Sequence, residues 1–125
     1  MECYFTSQAI ESESTKHNAV ISFTVPEMNI VFRAQFKGDE KECEYAALLS
    51  LLEFIEINPQ IFKNKAVEIF SDSFEVVHQV NNEMYCNADL EPYRKMAVLF
   101  RKKVPYVLRF VPASDNPAQN GLHSA

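Results

Sequence analysis

The sequence VEIFSDSFE occupies residues 67–75 and joins two kinds of secondary structure. The apolar run over 67–71 predicts a short buried strand, and a helix is predicted over 74–81. Asp72 therefore follows the carboxyl end of a strand, where open α/β sheets commonly hold ligands and metal ions. A second interpretation is structural, because Asp72 and Glu75 match a capping box and Ser73 could cap the helix instead.

Three strands are predicted upstream, over 3–11, 18–26 and 29–37. In the third, apolar and polar residues alternate, which is typical of a strand with one buried face. A turn of hairpin length at 26–29 predicts that the second and third strands are antiparallel neighbours. The polar residues 12–16 predict an exposed loop between the first two strands.

A long helix is predicted from about residue 41 to 57, before Pro59. Asp39 followed by Glu42 is a capping-box pattern at its start. Its apolar stripe consists of Tyr45, Leu48, Leu49, Leu51, Leu52 and Ile55. Glu44 lies at the edge of that stripe, so its carboxylate is predicted to face the sheet. Alternatively, Glu44 curls out to solvent or interacts with the helix dipole.

The rest of the chain predicts a helix over 90–103, a strand over 106–111 and a turn at 112–116. The element order is therefore βββαβααβ, followed by a tail. Strands four and five are each reached through helices. We therefore expect one α/β domain over residues 1–125, with a mixed sheet and helices packed on its faces.

Composition excludes several classes of protein. The 125 residues are 47% hydrophobic and 12% aromatic, which is enough for a compact core. The only glycines are Gly38 and Gly121, so no glycine-rich phosphate loop can be written. The formal net charge of -5 argues against coating nucleic acid by bulk electrostatics.

The sequence also predicts a cytoplasmic protein with no membrane segment. No apolar run approaches the roughly 18 residues that span a bilayer, and the N-terminus lacks the pattern of a signal peptide. Cys3, Cys43 and Cys86 are an odd number of cysteines without a CxxC spacing. We therefore expect three reduced thiols rather than a disulfide framework or a zinc site.

Several of these motifs together resemble ribonuclease H, over almost the full chain. They are ECEYAAL at 42–48, IFSDS at 69–73 with Val76 and Val77, and FVP at 110–112 with Asn116. The resemblance implies a five-stranded mixed sheet of order 3-2-1-4-5, with the second strand antiparallel to its neighbours. It is greatest to the short prokaryotic type, in which a helix such as 90–103 leads straight into the last strand.

The resemblance also implies a metal site in which four carboxylates hold two Mg²⁺ ions that cleave the RNA strand of an RNA/DNA hybrid. Glu44 matches the family's helix glutamate, and Asp72 matches its strand-four aspartate. Ser7 stands where the first-strand aspartate belongs, and Asn120 stands for the fourth carboxylate. Two divalent ions repel each other strongly unless carboxylates neutralise them. We therefore expect weak Mg²⁺ or Mn²⁺ binding by Glu44 and Asp72 and inefficient cleavage.

The helix predicted over 90–103 carries four cations that share one broad face: Arg94, Lys95, Arg101 and Lys102. Such a face could lie along a phosphate backbone. The alternative is a solvated face whose cations favour the helix C-terminus. The three histidines, His17, His78 and His123, have no spacing typical of metal ligands.

Three functional hypotheses remain open at this point. The first is a degenerate ribonuclease H-like domain that binds nucleic acid such as an RNA/DNA hybrid. The second is a weak metal-dependent nuclease that uses Glu44, Asp72 and a substitute ligand. The third is an interaction scaffold that binds a protein partner or self-associates. The acidic net charge favours the third hypothesis, whereas the basic face of the 90–103 helix favours the first.

Overall fold

The computed structural model describes residues 1–10, 18–63 and 65–122. The strands are β1 (Glu2–Ile10), β2 (Asn18–Val25), β3 (Ile30–Lys37), β4 (Val67–Ser71) and β5 (Tyr106–Phe110). The helices are α1 (Glu40–Ile57), α2 (Phe74–Val80), α3 (Glu91–Phe100) and α4 (Gln119–Leu122). Short 3-10 turns lie at Pro26–Met28 and Ala113–Asp115. The loop predicted at 12–16 and two histidines, His17 and His123, lie outside the described residues.

The five strands form one mixed sheet of order β3-β2-β1-β4-β5. β2 is antiparallel to both neighbours, and Phe23 at its centre lies opposite Phe5 of β1 and Phe32 of β3. β4 runs parallel to β1 and to β5. The predicted sheet order and strand directions are confirmed. The parallel β1–β4 pair brings Phe5, in the middle of β1, beside Ser71, the last residue of β4.

α1 covers one face of the sheet and supplies much of the core. The predicted capping box is present: the Asp39 carboxylate accepts from the Glu42 amide N–H at 2.9 Å, and Glu42 accepts from the Asp39 N–H at 3.3 Å. Tyr45, Leu48, Leu51, Leu52 and Ile55 of the predicted stripe are buried, as are Cys43 and Ala47. The buried stripe holds α1 against β1 and β2 and thereby sets the position of Glu44.

α4 packs on the opposite face, so helices cover both faces of the sheet. Gly121 makes this contact possible. A Cβ at position 121 would lie 2.2 Å from the Ser22 Oγ of β2 and 3.4 Å from the Val31 Cγ1 of β3. Only a residue without a side chain allows such a close approach. The sequence pattern did not predict α4, which has four residues and follows the Asn116–Pro117 pair.

α3 is shorter than predicted, because it ends at Phe100 rather than at 103. The amides of Arg101, Lys102 and Lys103 donate to the carbonyls three residues earlier, so the chain tightens into 3-10 geometry. Pro105 follows shortly and cannot continue a helix. The prediction that the helix runs to 103 is therefore wrong, and Arg101 and Lys102 lie in the turn that follows α3.

Among the described residues, no helix has the length and apolarity to cross a membrane. Cys3 and Cys43 are buried in the core, and Cys86 is half-buried; all three are free thiols. Burial raises the pKa of Cys3 to about 12 and, with nearby carboxylates, that of Cys43 to about 11. These two thiols therefore act as small apolar core residues.

Candidate functional site

The candidate site lies where β4 ends and α2 begins. Ser71 and Ser73 are both buried there, and the Ser73 amide N–H donates to the Ser71 Oγ at 3.1 Å. Ser73 is the N-terminal cap residue of α2, but its hydroxyl makes no bond to the helix backbone. It donates instead to the Glu44 Oε2 at 2.6 Å. This bond joins the end of β4 to the first turn of α1.

Asp72 does not cap α2, so the capping interpretation of this residue is wrong. Ser73 takes the cap position, and the Asp72 side chain faces the C-terminal segment instead. Its Oδ1 accepts from the Asn116 Nδ2 at 2.8 Å, and its Oδ2 accepts from the Gln119 Nε2 at 2.7 Å. Both carboxylate oxygens are therefore bonded to side-chain amides. We call Asp72 with these two amides the amide clamp.

Further hydrogen bonds determine which end of each amide faces Asp72. The Asn116 Nδ2 also donates to the Phe5 carbonyl at 2.9 Å, while its Oδ1 accepts from the Ala118 N–H at 3.0 Å. The Gln119 Nε2 also donates to the Thr6 Oγ1 at 3.1 Å. Nitrogen, not oxygen, therefore points toward the carboxylate. The amide clamp thus ties α4 and the segment before it to the middle of β1 and to the end of β4.

Glu44 faces inward, as predicted, with a side chain that is only 12% exposed. The Lys41 ammonium lies 3.2 Å from its Oε2 and 3.9 Å from the Glu75 Oε1. Burial raises the pKa of Glu44, although the Ser73 hydroxyl and Lys41 partly oppose this. Burial acts to lower the pKa of Lys41, but the carboxylates of Glu44 and Glu75 outweigh it and raise that pKa. The Lys41 ammonium therefore occupies one side of the Glu44 carboxylate.

Ser7 lies half-buried on β1, beside the N-terminal end of α1. It lines a cavity of about 520 Å³ with Gly38, Asp39 and Cys43 among its neighbours. Cys43 directly precedes Glu44 in the sequence, so the cavity reaches the part of α1 that carries the glutamate, although Glu44 does not line it. The fold thus places Ser7 on β1, Glu44 near the start of α1 and Asp72 directly after β4, on elements that pack against one another.

Asn120 is exposed on α4, and it is Gln119 that contacts Asp72. Sequence reasoning did not identify Gln119 as part of the site. A signal was present, because Asn116 followed three residues later by Gln119 matches the polar spacing at the start of a helix. Asn116 accompanies the FVP motif that resembles ribonuclease H, but the sequence did not predict its contact with Asp72.

The donor set does not fit a pair of divalent metal ions. No group of three or more His, Cys, Asp or Glu side chains that could hold a metal occurs within residues 1–10, 18–63 and 65–122. Mg²⁺ is held mainly by carboxylate oxygens and water, whereas the groups nearest Asp72 are amide nitrogens that carry hydrogen. Lys41 adds positive charge beside Glu44. These features disfavour the binding of a divalent metal ion beside Asp72 and Glu44.

Comparison with known proteins identifies the fold. A ribonuclease H1 named LC11, isolated from compost, superimposes with a TM-score of 0.79 at 19% identity, over 97% of this chain and 91% of that chain. Ribonuclease H1 from the archaeon Halobacterium salinarum superimposes with a TM-score of 0.70 at 20% identity, over 97% and 92%. The chain has a ribonuclease H fold. Neither a protein-family model nor a curated protein sequence matches it.

Other solved structures with the ribonuclease H fold agree. LC11 crystallised in complex with an RNA/DNA hybrid has a TM-score of 0.76 at 17% identity, over 97% of this chain and 91% of that one. The N-terminal ribonuclease H domain of a Mycobacterium tuberculosis protein has a TM-score of 0.65 at 14% identity, over 98% and 95%. At such identities the likeness establishes the fold and not the roles of individual site residues.

Within this ribonuclease H fold the four predicted basic residues differ in their surroundings. The Arg94 guanidinium forms an ion pair with Glu91, one turn earlier in α3. Arg101 lies 4.9 Å from the centre of the Tyr106 ring and donates to the Asn81 Oδ1 at 2.9 Å. Lys95 and Lys102 are exposed. The two arginines are therefore engaged within the protein, and the two lysines face solvent.

Proposed function

We propose that this chain is a ribonuclease H-like domain that binds RNA/DNA hybrid but cleaves it poorly or not at all. The amide clamp is the observation that carries the proposal. An active site for two-metal hydrolysis needs carboxylate oxygens open toward the metal ions, and here both oxygens of Asp72 accept amide hydrogens. Asp72 thus stabilises the C-terminal segment in the place where a metal ligand would be needed.

The charge of the site supports the loss of catalysis. Ser7 and Asn120 offer neutral oxygens at two positions where the ribonuclease H resemblance predicts carboxylates. Glu44 is partly neutralised by Lys41, and burial further favours its protonated form. Two divalent ions about 4 Å apart would therefore meet too little negative charge to offset their mutual repulsion.

The binding half of the proposal rests on the fold and on local charge. A protein of the same fold was crystallised with an RNA/DNA hybrid. Lys95 and Lys102 project into solvent from α3 and the turn that follows it, where they could contact phosphates. Because the whole chain is acidic, any such attraction is local, and it should weaken steeply as salt is added.

Cleavage is tested with labelled RNA/DNA hybrid and either Mg²⁺ or Mn²⁺. The wild-type protein and an Asp72→Asn variant are assayed side by side, and circular dichroism verifies that both are folded. We expect the same background rate from both, because Asp72 performs no metal chemistry. Cleavage by the wild type that disappears in Asp72→Asn would overturn the proposal and establish a metal-dependent nuclease.

Binding is tested by fluorescence anisotropy with the same hybrid over a range of salt concentrations. We expect Lys95→Ala/Lys102→Ala to weaken binding more than Arg94→Ala/Arg101→Ala, since the arginines already have partners in the protein. Arg33→Ala/Lys37→Ala on β3 is the matched control, with two cations removed elsewhere. Absence of binding at low salt would refute the binding half of the proposal.

A protein-interaction role is the second candidate, and exposed apolar residues on α3 favour it. Met96 is 51% exposed and Leu99 is 57% exposed, which is high for large apolar side chains. Size-exclusion chromatography and chemical crosslinking of the purified chain test this role. A dimer that Met96→Ser/Leu99→Ser converts to a monomer would support it, whereas a monomer at all concentrations would exclude self-association.

A further inference from the structure

A cavity of about 630 Å³ lies at the end of the sheet opposite the candidate site. It is bounded by the C-terminal part of α1, the segment that leads into β4 and the segment that leads into β5. Val67, the first residue of β4, lines it, whereas Asp72 follows the last residue of the same strand. Five strand residues separate the two places by roughly 15 Å.

The cavity floor is apolar and preformed. Four of its side chains, Ile55, Phe62, Val67 and Val104, belong to the hydrophobic core and are at most 7% exposed. Pro59 and Pro105 form part of its wall and have restricted backbones. Small-molecule sites are typically concave, mostly apolar and already shaped before the ligand arrives, with volumes of about 300–1,000 Å³. The volume of this cavity lies within that range, and its floor is formed by buried apolar side chains.

The mouth of the cavity is basic in a chain that is acidic overall. Lys63, Lys65 and Lys103 all line it, and the carboxylates nearby are those of Glu56, which also lines it, and Glu27. The Lys103 Nζ lies 3.6 Å from Glu56, and the Lys65 Nζ lies 3.6 Å from Glu27. These lysines are more than half exposed, so their ion pairs are weak and can be exchanged for an anion.

We propose that this cavity binds a small amphipathic anion, with an aliphatic body against the Ile55–Phe62–Val104 floor and a carboxylate or phosphate group between Lys63 and Lys103. The apolar floor releases water when it is covered, and the lysines select the charge of the head group. The proposal does not depend on hybrid binding, because the cavity and the candidate site share no residue.

The test uses decanoate as the probe, below its micelle concentration, with ¹H–¹⁵N NMR of the full chain. We expect saturable shifts at residues 55–67 and 103–106 and none at Asp72 or Gln119. Decyl phosphate tests the second head group, and decanol and decyltrimethylammonium test whether an anion is needed. We expect decanoate, decyl phosphate or both to bind at least roughly tenfold more tightly than decanol, and the cation to bind least.

Two pairs of variants separate this site from general surface binding. Lys63→Gln/Lys103→Gln should weaken decanoate binding about tenfold, whereas Lys37→Gln/Lys95→Gln, with the same change in net charge, should not. Ala66→Phe should fill the exposed rim of the cavity and abolish binding, whereas Ala113→Phe on another exposed turn should not. The proposal would be overturned if the chemical shifts that change are centred on other residues or do not saturate. It would also be overturned if decanol binds as tightly as decanoate, or if Ala66→Phe binds decanoate as tightly as the wild type.

Discussion

Asp72 is bonded as a structural anchor rather than as an open metal ligand. Its two oxygens accept from Asn116 and Gln119, which lie 44 and 47 residues further along the chain. Hydrogen bonds to a charged group contribute more to stability than neutral ones, typically about 1.5–3 kcal/mol each. The same carboxylate that the ribonuclease H resemblance assigns to catalysis therefore holds the C-terminal segment in place.

The first prediction concerns this anchor. Asp72→Asn removes the charge and turns one acceptor into a donor that faces an amide nitrogen. We expect the free energy of unfolding to fall by about 1–3 kcal/mol, as measured by urea denaturation. Asp115→Asn, an exposed aspartate in the nearby 3-10 turn, is the control and should change little. Equal effects of the two substitutions would show that the amide clamp contributes nothing.

The second prediction concerns the pH dependence that Glu44 imposes. Burial raises its pKa in the folded state above the unfolded value, so the folded protein binds this proton more tightly. The contribution of Glu44 to stability is therefore greatest below its unfolded pKa and is lost as the pH rises through its folded pKa. Glu44→Gln mimics the protonated form and should raise the thermal midpoint at pH 7, with the difference vanishing near pH 3.

Glu53→Gln on the exposed side of α1 is the control for that experiment. Thermal unfolding followed by circular dichroism from pH 3 to pH 8 gives the midpoints of both variants and the wild type. A midpoint of Glu44→Gln below that of the wild type at pH 7 would mean that the ion pair with Lys41 outweighs burial.

At the scale of secondary structure elements, α4 is positioned by a close approach as well as by the amide clamp. Gly121 packs directly over Ser22 of β2, with no room for a methyl group. The Ser22 Oγ is buried and has no hydrogen-bond partner among the described residues. A buried hydroxyl without a partner costs free energy, so this contact combines tight packing with an unsatisfied polar atom.

The third prediction is a double-mutant cycle at this contact. Gly121→Ala should lower the free energy of unfolding by about 1–3 kcal/mol, because the new methyl group collides with Ser22. Ser22→Ala should be neutral or stabilising, since it removes the unsatisfied hydroxyl. The double variant should recover much of the loss, because the nearest contact is gone. If the changes in the free energy of unfolding are strictly additive in urea denaturation, Gly121 and Ser22 do not interact.

At the scale of the whole molecule, the candidate site draws its residues from four elements around β1 and the end of β4. Ser7 lies on β1, Glu44 on α1, Asp72 after β4 and Gln119 on α4. Only two of these four side chains are carboxylates. Acidic residues at the two neutral positions would therefore increase the negative charge of the site.

The fourth prediction therefore restores charge at two positions. Ser7→Asp/Gln119→Asp should bind Mn²⁺ measurably by isothermal titration calorimetry, and Mn²⁺ should raise its thermal midpoint. Ser7→Asp/Asn120→Asp follows the family motif but places the second carboxylate on the exposed side of α4. We expect it to bind Mn²⁺ more weakly. Tighter binding by the Asn120→Asp combination would show that α4 presents residue 120, not 119, to Asp72.

Local patterns in the sequence were sufficient for the order of the elements from β1 to β5, the Asp39 cap and the inward position of Glu44. The sheet order was expected from the resemblance to ribonuclease H. Alternation with a period of two, or apolar spacing near 3.6, specifies which face of a strand or helix is buried, and neighbours along the chain create that pattern. The end of α3 was misplaced, because the change to 3-10 geometry after Phe100 leaves little trace in the apolar spacing.

Only the tertiary structure assigned partners to Asp72, placed Gln119 rather than Asn120 beside it, and directed Arg101 toward Tyr106 and Asn81. Hydrogen bonds between residues 20 to 47 positions apart depend on how loops return segments to the sheet, and no local period encodes that geometry. The sequence by itself shows that Ser7 and Asn120 stand where the ribonuclease H resemblance predicts carboxylates. The bonds that Asp72 now makes require the folded chain.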